Sequence, residues 1–167
     1  MTLPAPGSAL ARIAALGLEL PEAPAPLAAY VPFTVIPVAP GRALVFVSGQ
    51  VALRDGAPVA RGAVPVDVSL EAARENARLC GLNLLAQLHR AVGLDNVVQV
   101  LQVTGYVRSS DDFEQQPQVV NAASELLTEV LGEAGRHSRA AVGVNALPLG
   151  VPVEVSAVAL ASVPAPG

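Results

Sequence analysis

The sequence predicts an α+β domain in which two long helices cover one face of a single β-sheet. Two long segments, near residues 69–93 and 111–132, carry apolar residues at helical spacing. The segments around them are short, rich in Val and Ile, and separated by turns that contain Gly, Pro or Asn. The resulting order, ββ(ββ)αβαββ, is typical of a sheet with its helices on one side.

Length and composition indicate one domain with a large aliphatic core. The chain has 167 residues, of which 52% are hydrophobic and only 3% aromatic. Ala, Val and Leu must therefore form most of the core. We expect this domain to span residues 30–163, after an N-terminal extension over residues 1–29.

The N-terminal extension is rich in Ala and Pro. Ser8 is placed to cap a short helix that runs to about Leu16. Prolines between residues 21 and 29 exclude regular structure, so this part predicts an extended strap that leads to Tyr30. We expect the extension to pack on the domain.

Two hairpins are predicted before the first long helix. In the first, strands over residues 32–38 and 43–47 flank a Pro-Gly turn and end in Ser48-Gly49-Gln50. Gly49 follows the strand directly, where backbone can approach a ligand with no side chain in the way. The second hairpin, over residues 51–60, is expected to turn at Asp55 and Gly56.

The first long helix has clear boundaries in the sequence. Ser69 is its predicted N-cap, and the apolar spacing ends near Gly93. Cys80 lies within the apolar stripe of this helix. We therefore expect Cys80 to be a buried, structural thiol and not a nucleophile.

A strand and the second long helix follow. The strand, over residues 97–107, alternates poorly, as a strand covered on both faces does. Asp111 and Glu114 have the spacing of a capping box for the second helix, although Pro117 favours a later start. The helix is expected to end at Gly132.

The opposite face of the sheet needs a cover of its own. Strands over residues 43–47, 97–103 and 151–160 are apolar on both sides, but the sequence offers only two long helices. An apolar sheet face without helices must be buried, and a further copy of the chain is the simplest cover. The sequence therefore predicts a homo-oligomer.

Composition and missing motifs exclude several classes of function. The net charge is −4 with no basic run, which argues against a nucleic-acid partner. The sequence contains no HExxH, CxxC, GxGxxG or GxxxxGK[ST] motif, so we expect no metal site and no cofactor. It also has no secretory signal, no apolar run long enough for a membrane and a single cysteine, which together favour a cytoplasmic protein with no membrane contact.

The last two strands carry the charges that look most like a site. Arg139 and Glu154 each interrupt an apolar run. If the two strands form a hairpin across the loop at residues 145–150, Arg139 lies opposite Ser156 and Glu154 opposite Ala141. The two charges are then diagonal neighbours on one face, within reach of each other. This arrangement fits a carboxylate-binding Arg beside a Glu of raised pKa, but it fits a buried ion pair equally well.

The two histidines are weaker candidates. His137 follows Gly135 and Arg136 and is interpreted as a surface loop residue. His89 lies at the polar end of the first long helix and is expected to be solvated.

The closing strands resemble those of the reactive intermediate deaminases, the RidA/YjgF family. The resemblance lies in Arg139-Ala140-Ala141-Val142, Leu147-Pro148 and Val153-Glu154-Val155, supported by Ser48-Gly49-Gln50 and by Asn121 in a Val-Asn-Ala segment. It covers about residues 30–161. It implies a homotrimer of chorismate-mutase-like subunits with three clefts between neighbouring sheets, and no metal or organic cofactor.

The resemblance also implies an activity. A hydrolase of this family converts enamines and imines such as 2-aminoacrylate to 2-keto acids and ammonia. The residue that matches Arg139 holds the substrate carboxylate, and the one that matches Glu154 activates water. The other residues that would line the cleft are Tyr30, Ser48, Gly49, Asn121 and Ala141.

The chain departs from the common family pattern, and two alternative functions stay open. Many relatives have Cys where this chain has Ala141, and Pro or Ala where it has His137; its extension resembles a longer, divergent branch. The first alternative is a trimer that binds small carboxylates without turnover and has a regulatory role. The second is an endoribonuclease, which the acidic composition disfavours.

Overall fold

The computed structural model describes residues 7–25, 28–54 and 56–164. Asp55, the predicted turn residue, lies outside the described residues. The elements in chain order are α1 (Ala9–Ala15), β1 (Phe33–Ala39), β2 (Arg42–Val51), β3 (Leu53–Arg54), β4 (Ala57–Pro58), α2 (Leu70–Val92), β5 (Val97–Arg108), α3 (Gln116–Leu131), β6 (Ser138–Val144) and β7 (Val153–Ser162). A five-stranded sheet in the order β1-β2-β7-β5-β6 forms the centre of the protein, and a separate two-stranded ribbon pairs β3 with β4.

The two long helices lie on one face of the sheet, as the sequence predicts. The predicted N-cap of α2 is confirmed, because Ser69 Oγ accepts a hydrogen bond from the amide of Ala72 at 3.2 Å. The helix ends at Gly93, whose positive φ of 80° favours glycine. The core is aliphatic, and its largest fully buried apolar side chains include Leu84, Leu88 and Leu126.

The start of α3 differs from the expectation. The helix begins at Gln116, and its preceding residue Gln115 makes no side-chain capping bond, so the capping box of Asp111 and Glu114 is wrong. Pro117 occupies the first turn, where its fixed φ fits and its missing N–H costs no helical bond. Gln116 Nε2 instead donates to the Phe113 carbonyl at 2.6 Å.

The N-terminal helix packs on the body of the protein. Ser8 caps α1, and Ile13 is only 2% exposed within the core. The amide of Ala9 donates to Asp95 Oδ1 at 2.8 Å. Further along, Gln87 Nε2 of α2 donates to the Pro24 carbonyl at 2.7 Å, so the strap is attached as well.

The pairing of the last two strands contradicts the predicted hairpin. β5 lies between β6 and β7, parallel to β6 and antiparallel to β7. The predicted pairing of Arg139 with Ser156 and of Glu154 with Ala141 is therefore wrong. The chain returns from β5 through α3 to a parallel strand, a crossover that places β6 at the sheet edge. The strand β7 then fills the position between β5 and β2.

The face of the sheet opposite the helices is apolar and open. Along β7 each buried residue alternates with a half-buried one, and the half-buried residues lie on the open face. Cross-strand pairing between β1, β2 and β7 places Ile36, Leu44 and Leu160 side by side on this face. The pair of Phe46 and Val158 lies next to them. Ile36 is 49% and Phe46 41% exposed in the single chain. The open apolar face that the sequence predicts is present.

Candidate active site

Arg139 and Glu154 lie on opposite faces of the sheet. Arg139 shares a row with the buried Val103 and points to α3, whereas Glu154 shares a row with Tyr106 on the open face. Their backbones are two strands and three residues apart, which corresponds to roughly 14 Å. The alternative of an ion pair between them within one chain is therefore wrong.

Glu154 occupies space that only a glycine leaves open. Between Val47 and Gln50, the strand β2 has one residue more than its partner β7, so it bulges at Ser48 and Gly49. A Cβ atom built on Gly49 would lie 1.8 Å from Glu154 Oε1, far closer than atoms can approach. The carboxylate thus packs directly against the backbone of Gly49.

Hydrogen bonds hold the bulge and the segment before β1 together. Gln50 is 6% exposed, and its Nε2 donates to the carbonyls of Ser48 at 3.0 Å and Gly49 at 3.3 Å. Ser48 Oγ donates to the Val31 carbonyl at 2.8 Å, which fixes the segment that carries Tyr30. Gln50 is not among the site residues predicted from the sequence, although it belongs to the Ser48-Gly49-Gln50 tripeptide that supports the family resemblance.

A small cavity, with a volume of about 20 Å³, opens beside Gly49. Tyr30 lines it together with the strap, and its other walls come from Pro32 just before β1, the end of β2 and the first residue of β3. We call the residues Tyr30, Ser48, Gly49 and Glu154 the Glu154 side of the site. The strap contributes Pro24 and Ala25 to the cavity wall, so the N-terminal extension borders this side.

Burial raises the pKa of Glu154 above its ordinary value of 4.5. Within the described residues its carboxylate forms no hydrogen bond or ion pair, so nothing nearby stabilises the negative charge. Cys80 also responds to this carboxylate: burial raises the pKa of its thiol, and the charge of Glu154 raises it further. Cys80 is fully buried, which confirms the structural thiol.

Arg139 is held by acceptors from α3. Its Nη1 donates to Asn121 Oδ1 at 2.9 Å and to Ser124 Oγ at 3.1 Å, while Nη2 donates to the Pro117 carbonyl at 3.3 Å. Ala141 lies on the same strand face two residues further on, opposite Gly105. We call Asn121, Arg139 and Ala141 the Arg139 side of the site.

Gly105 explains how α3 comes close to the sheet at this point. A Cβ atom there would lie 2.5 Å from Val120 in α3. The missing side chain lets the helix approach β5, and Asn121 follows directly after Val120. The Arg139 side thus depends on close packing of a helix on a strand.

His137 is not the surface loop residue that the sequence suggested. It is half-buried, its Nε2 lies 2.9 Å from Ser124 Oγ, and its Nδ1 lies 2.6 Å from the Gly135 carbonyl oxygen. Burial lowers its pKa, the Gly135 carbonyl opposes that effect, and the charge of Arg139 adds to the lowering. Ser124, which contacts both His137 and Arg139, had no signal in the sequence.

The described residues contain no candidate for a membrane span or for a metal site. Over residues 7–25, 28–54 and 56–164, no helix is long and apolar enough to cross a membrane. In the same residues, no group of three or more His, Cys, Asp or Glu side chains is arranged to hold a metal ion. His89 is exposed at the end of α2, as expected.

Comparison with known proteins identifies relatives over most of the chain. Residues 10–159 match the family described as "YjgF/chorismate mutase-like, putative endoribonuclease". Protein TCP17 of Trypanosoma cruzi is 38% identical over 159 residues, which cover 94% of this chain and 96% of that protein.

Solved structures agree with this match. Atu1372 of Agrobacterium tumefaciens, a protein of unknown function, has a TM-score of 0.82 and 38% identity, with 92% of each chain covered. A structure described as a "putative endoribonuclease" from Shewanella oneidensis has a TM-score of 0.83 and 31% identity, covering 92% of this chain and 99% of that one. With its mixed sheet and two helices on one face, the chain therefore belongs to the YjgF/chorismate-mutase-like family, the RidA/YjgF family that its closing strands resemble.

Proposed function

We propose that the protein is a hydrolytic deaminase of reactive enamines and imines, and that it acts as a homotrimer. The reaction is CH₂=C(NH₂)COO⁻ + H₂O → CH₃COCOO⁻ + NH₃ for 2-aminoacrylate. Protonation of the terminal carbon of the enamine gives the imine, water adds to the imine carbon, and ammonia leaves. Arg139 holds the carboxylate, and Glu154 exchanges the protons.

The observation that carries the proposal is the separation of two complementary sides. A small amino acid derivative must contact a cation at its carboxylate and a proton-exchanging group a few ångströms away. Arg139 and Glu154 have this chemistry, but they lie on opposite faces of one sheet. A complete site therefore needs Arg139 from one subunit and Glu154 from the next.

The open face of the sheet supports assembly of copies of this chain. Apolar residues of β1, β2 and β7 are exposed on it next to Glu154. Copies packed on this face would remove that apolar surface from water. Because β6 is an edge strand, Arg139 lies at the rim of the sheet, where an adjoining copy can bring it to the Glu154 side of its neighbour. In this arrangement the substrate would lie at the subunit boundary.

The pKa of Glu154 suits its proposed role. Burial raises the pKa of Glu154, so its carboxyl keeps a proton to higher pH than an exposed carboxyl and is a better proton donor and acceptor for this chemistry. In the proposed mechanism it donates a proton in the neutral form and takes one from water in the ionised form. Arg139 keeps its charge throughout and supplies binding and orientation.

Ammonia and keto-acid release from 2-aminoacrylate tests the activity. A serine dehydratase that uses pyridoxal phosphate generates the substrate from serine in the assay. We expect the protein to accelerate release, and we expect Arg139→Ala and Glu154→Gln each to abolish the acceleration. Acceleration that persists in Arg139→Ala would contradict the proposal, and pyruvate binding without turnover would point to a carboxylate-binding module instead.

Mixing the two inactive variants tests the shared site. If the variants are unfolded and refolded together in equal amounts, random assembly restores roughly one quarter of the intact sites. A site contained within one subunit would stay inactive in every mixture.

RNA cleavage is measured on the same samples, and cleavage that survives repurification but is lost in Glu154→Gln would support an endoribonuclease.

A further inference from the structure

His137 and Ser124 form a hydrogen-bonded chain that ends at the guanidinium of Arg139. The Gly135 carbonyl oxygen, 2.6 Å from His137 Nδ1, can only accept a hydrogen bond. Nδ1 must therefore carry a proton. In the neutral ring, Nε2 then has a lone pair and no hydrogen.

The hydroxyl of Ser124 is oriented by this ring. It lies 2.9 Å from His137 Nε2, and because Nε2 can only accept, the hydroxyl hydrogen must point to the ring. The lone pairs of Ser124 Oγ are then free to face Arg139. Arg139 Nη1 donates to this oxygen at 3.1 Å.

The resulting contacts fix the guanidinium plane and leave one edge of it open. Both Nη1 hydrogens are engaged, by Asn121 and Ser124, and one Nη2 hydrogen is engaged by the Pro117 carbonyl. Within the described residues, Nε and the second Nη2 hydrogen have no partner. Nε and Nη2 lie along one edge of the guanidinium, and their free hydrogens are the donors left for the two oxygens of a carboxylate.

We propose that His137 is a positioning residue that acts through Ser124 to aim the open edge of Arg139 at the substrate carboxylate. This inference rests on the proposed function, because it assigns a ligand to Arg139. His137 touches neither substrate nor reacting atoms. Its effect lies in substrate binding and not in the chemical steps at Glu154.

The neutral state of the ring is consistent with its surroundings. Burial and the charge of Arg139 both lower the pKa of His137, so the ring is neutral near pH 7 and can accept from Ser124. Other charged groups lie near this ring. Glu125 and Glu129 of α3 line the same surface cavity as Ser124, and the exposed Arg136–Glu133 pair precedes His137 in the chain.

Pyruvate binding to the full-length protein, measured by titration calorimetry, tests the proposal. We expect His137→Ala and Ser124→Ala each to raise the dissociation constant about fivefold to tenfold. The double variant should be no weaker than either single one, because both break the same chain of bonds. His137→Gln keeps an acceptor for Ser124 and should stay within about twofold of the wild type.

Three further readouts separate positioning from a structural role. His89→Ala, the matched change at the exposed histidine, should leave binding unchanged. In the turnover assay, His137→Ala should raise KM and leave kcat nearly unchanged. The ¹⁵N shifts of the His137 ring should indicate a proton on Nδ1 at neutral pH.

The failure of this inference can be told apart from failure of the proposed function. Pyruvate binding that His137→Ala leaves intact, additive losses in the double variant, or a proton on Nε2 would each overturn the positioning role. So would a wild-type protein that does not bind pyruvate. If the wild type binds pyruvate and His137→Ala weakens that binding but no deamination occurs, the positioning role stands and the deaminase does not.

Discussion

The Glu154 side and the Arg139 side are built by different means. On the Glu154 side, packing dominates: a bulge and a missing side chain at Gly49 make room for a carboxylate that has no hydrogen-bond partner in the described part of the chain. On the Arg139 side, hydrogen bonds dominate, and three acceptors from α3 hold the Nη1 and Nη2 groups of the guanidinium. The Glu154 carboxylate is thus left without a hydrogen-bond partner among the described residues, whereas the Arg139 guanidinium is held in position by its acceptors.

This difference separates two tasks that one reaction needs. The half-buried Glu154 carboxyl has no partner among the described residues, and burial raises its pKa, which favours a role in proton transfer. A guanidinium never loses its charge in proteins, and fixed acceptors around it reduce the entropy lost when a ligand binds. The Glu154 side is therefore suited to proton transfer, and the Arg139 side to holding the substrate.

The largest loss of activity is expected when the proposed subunits dissociate, because the Glu154 side of one copy then no longer meets the Arg139 side of another. Phe46→Glu puts a charge on the open apolar face and should dissociate the proposed trimer, because burial of an unpaired charge costs several kcal/mol. Turnover should fall at least about 100-fold, since neither side is complete alone. Light scattering after size exclusion and the deaminase assay measure both effects.

Val66→Glu is the matched control for this change. Val66 is 72% exposed and lies in the segment before α2, outside the strands of the sheet. This variant should stay assembled and active. A Phe46→Glu protein that is trimeric and fully active would contradict the proposed interface.

Gly49→Ala should damage the Glu154 side alone. The new methyl group needs the space of Glu154 Oε1, so the carboxylate must move. We expect kcat to fall about 100-fold, the usual contribution of a positioned acid or base, with little change in KM. Steady-state kinetics measure the two constants.

Gly143→Ala serves as the control on the Arg139 strand. There a Cβ atom would lie 2.9 Å from Gln116 Nε2 and from Ser109 Oγ, the ends of two side chains that can rotate away. Its kinetics should change much less. Equal losses in both variants would mean that the packing of Gly49 on Glu154 has no special role.

The stability of the Glu154 side should depend on pH with a definite sign. Because folding raises the pKa of Glu154, the folded state loses stability as pH rises from 4.5 through the raised pKa. Glu154→Gln cannot ionise and avoids this loss. Its free energy of unfolding relative to the wild type should therefore increase from about pH 4 to pH 7 in urea titrations.

The Arg139 side should respond to pH with the opposite sign. Folding lowers the pKa of His137, so the folded state loses stability as pH falls from 6.5 through the lowered pKa. His137→Gln should flatten this decrease, which urea titrations across the same range would detect. An equal decrease in the wild type and in this variant would assign it to other groups.

Much of the fold could be predicted because its signals are local. The N-caps at Ser8 and Ser69 and the helix end at Gly93 depend on residues within one turn of each other. The capping box at Asp111 failed for a related reason. Pro117 favours the first turn of a helix, and that local preference placed the start later than the capping spacing suggested.

The residues of the candidate site were predictable by type but not by position. Arg139 and Glu154 stood out because charges are rare in apolar strands. The sequence contains no information near them on which strands pair, since β6 reaches β5 across all of α3. The predicted hairpin paired the two strands that are nearest in sequence. That pairing placed Arg139 and Glu154 on one face of the sheet.

The sequence by itself determined the elements, the aliphatic core, the open apolar face and the chemistry of Arg139 and Glu154. Only the tertiary structure decided that these two residues face opposite ways and that His137 reaches Arg139 through Ser124. Periodicity and capping act over a few residues and can be read along the chain. Strand order and helix docking depend on contacts between distant segments, which are decided by how the whole core packs.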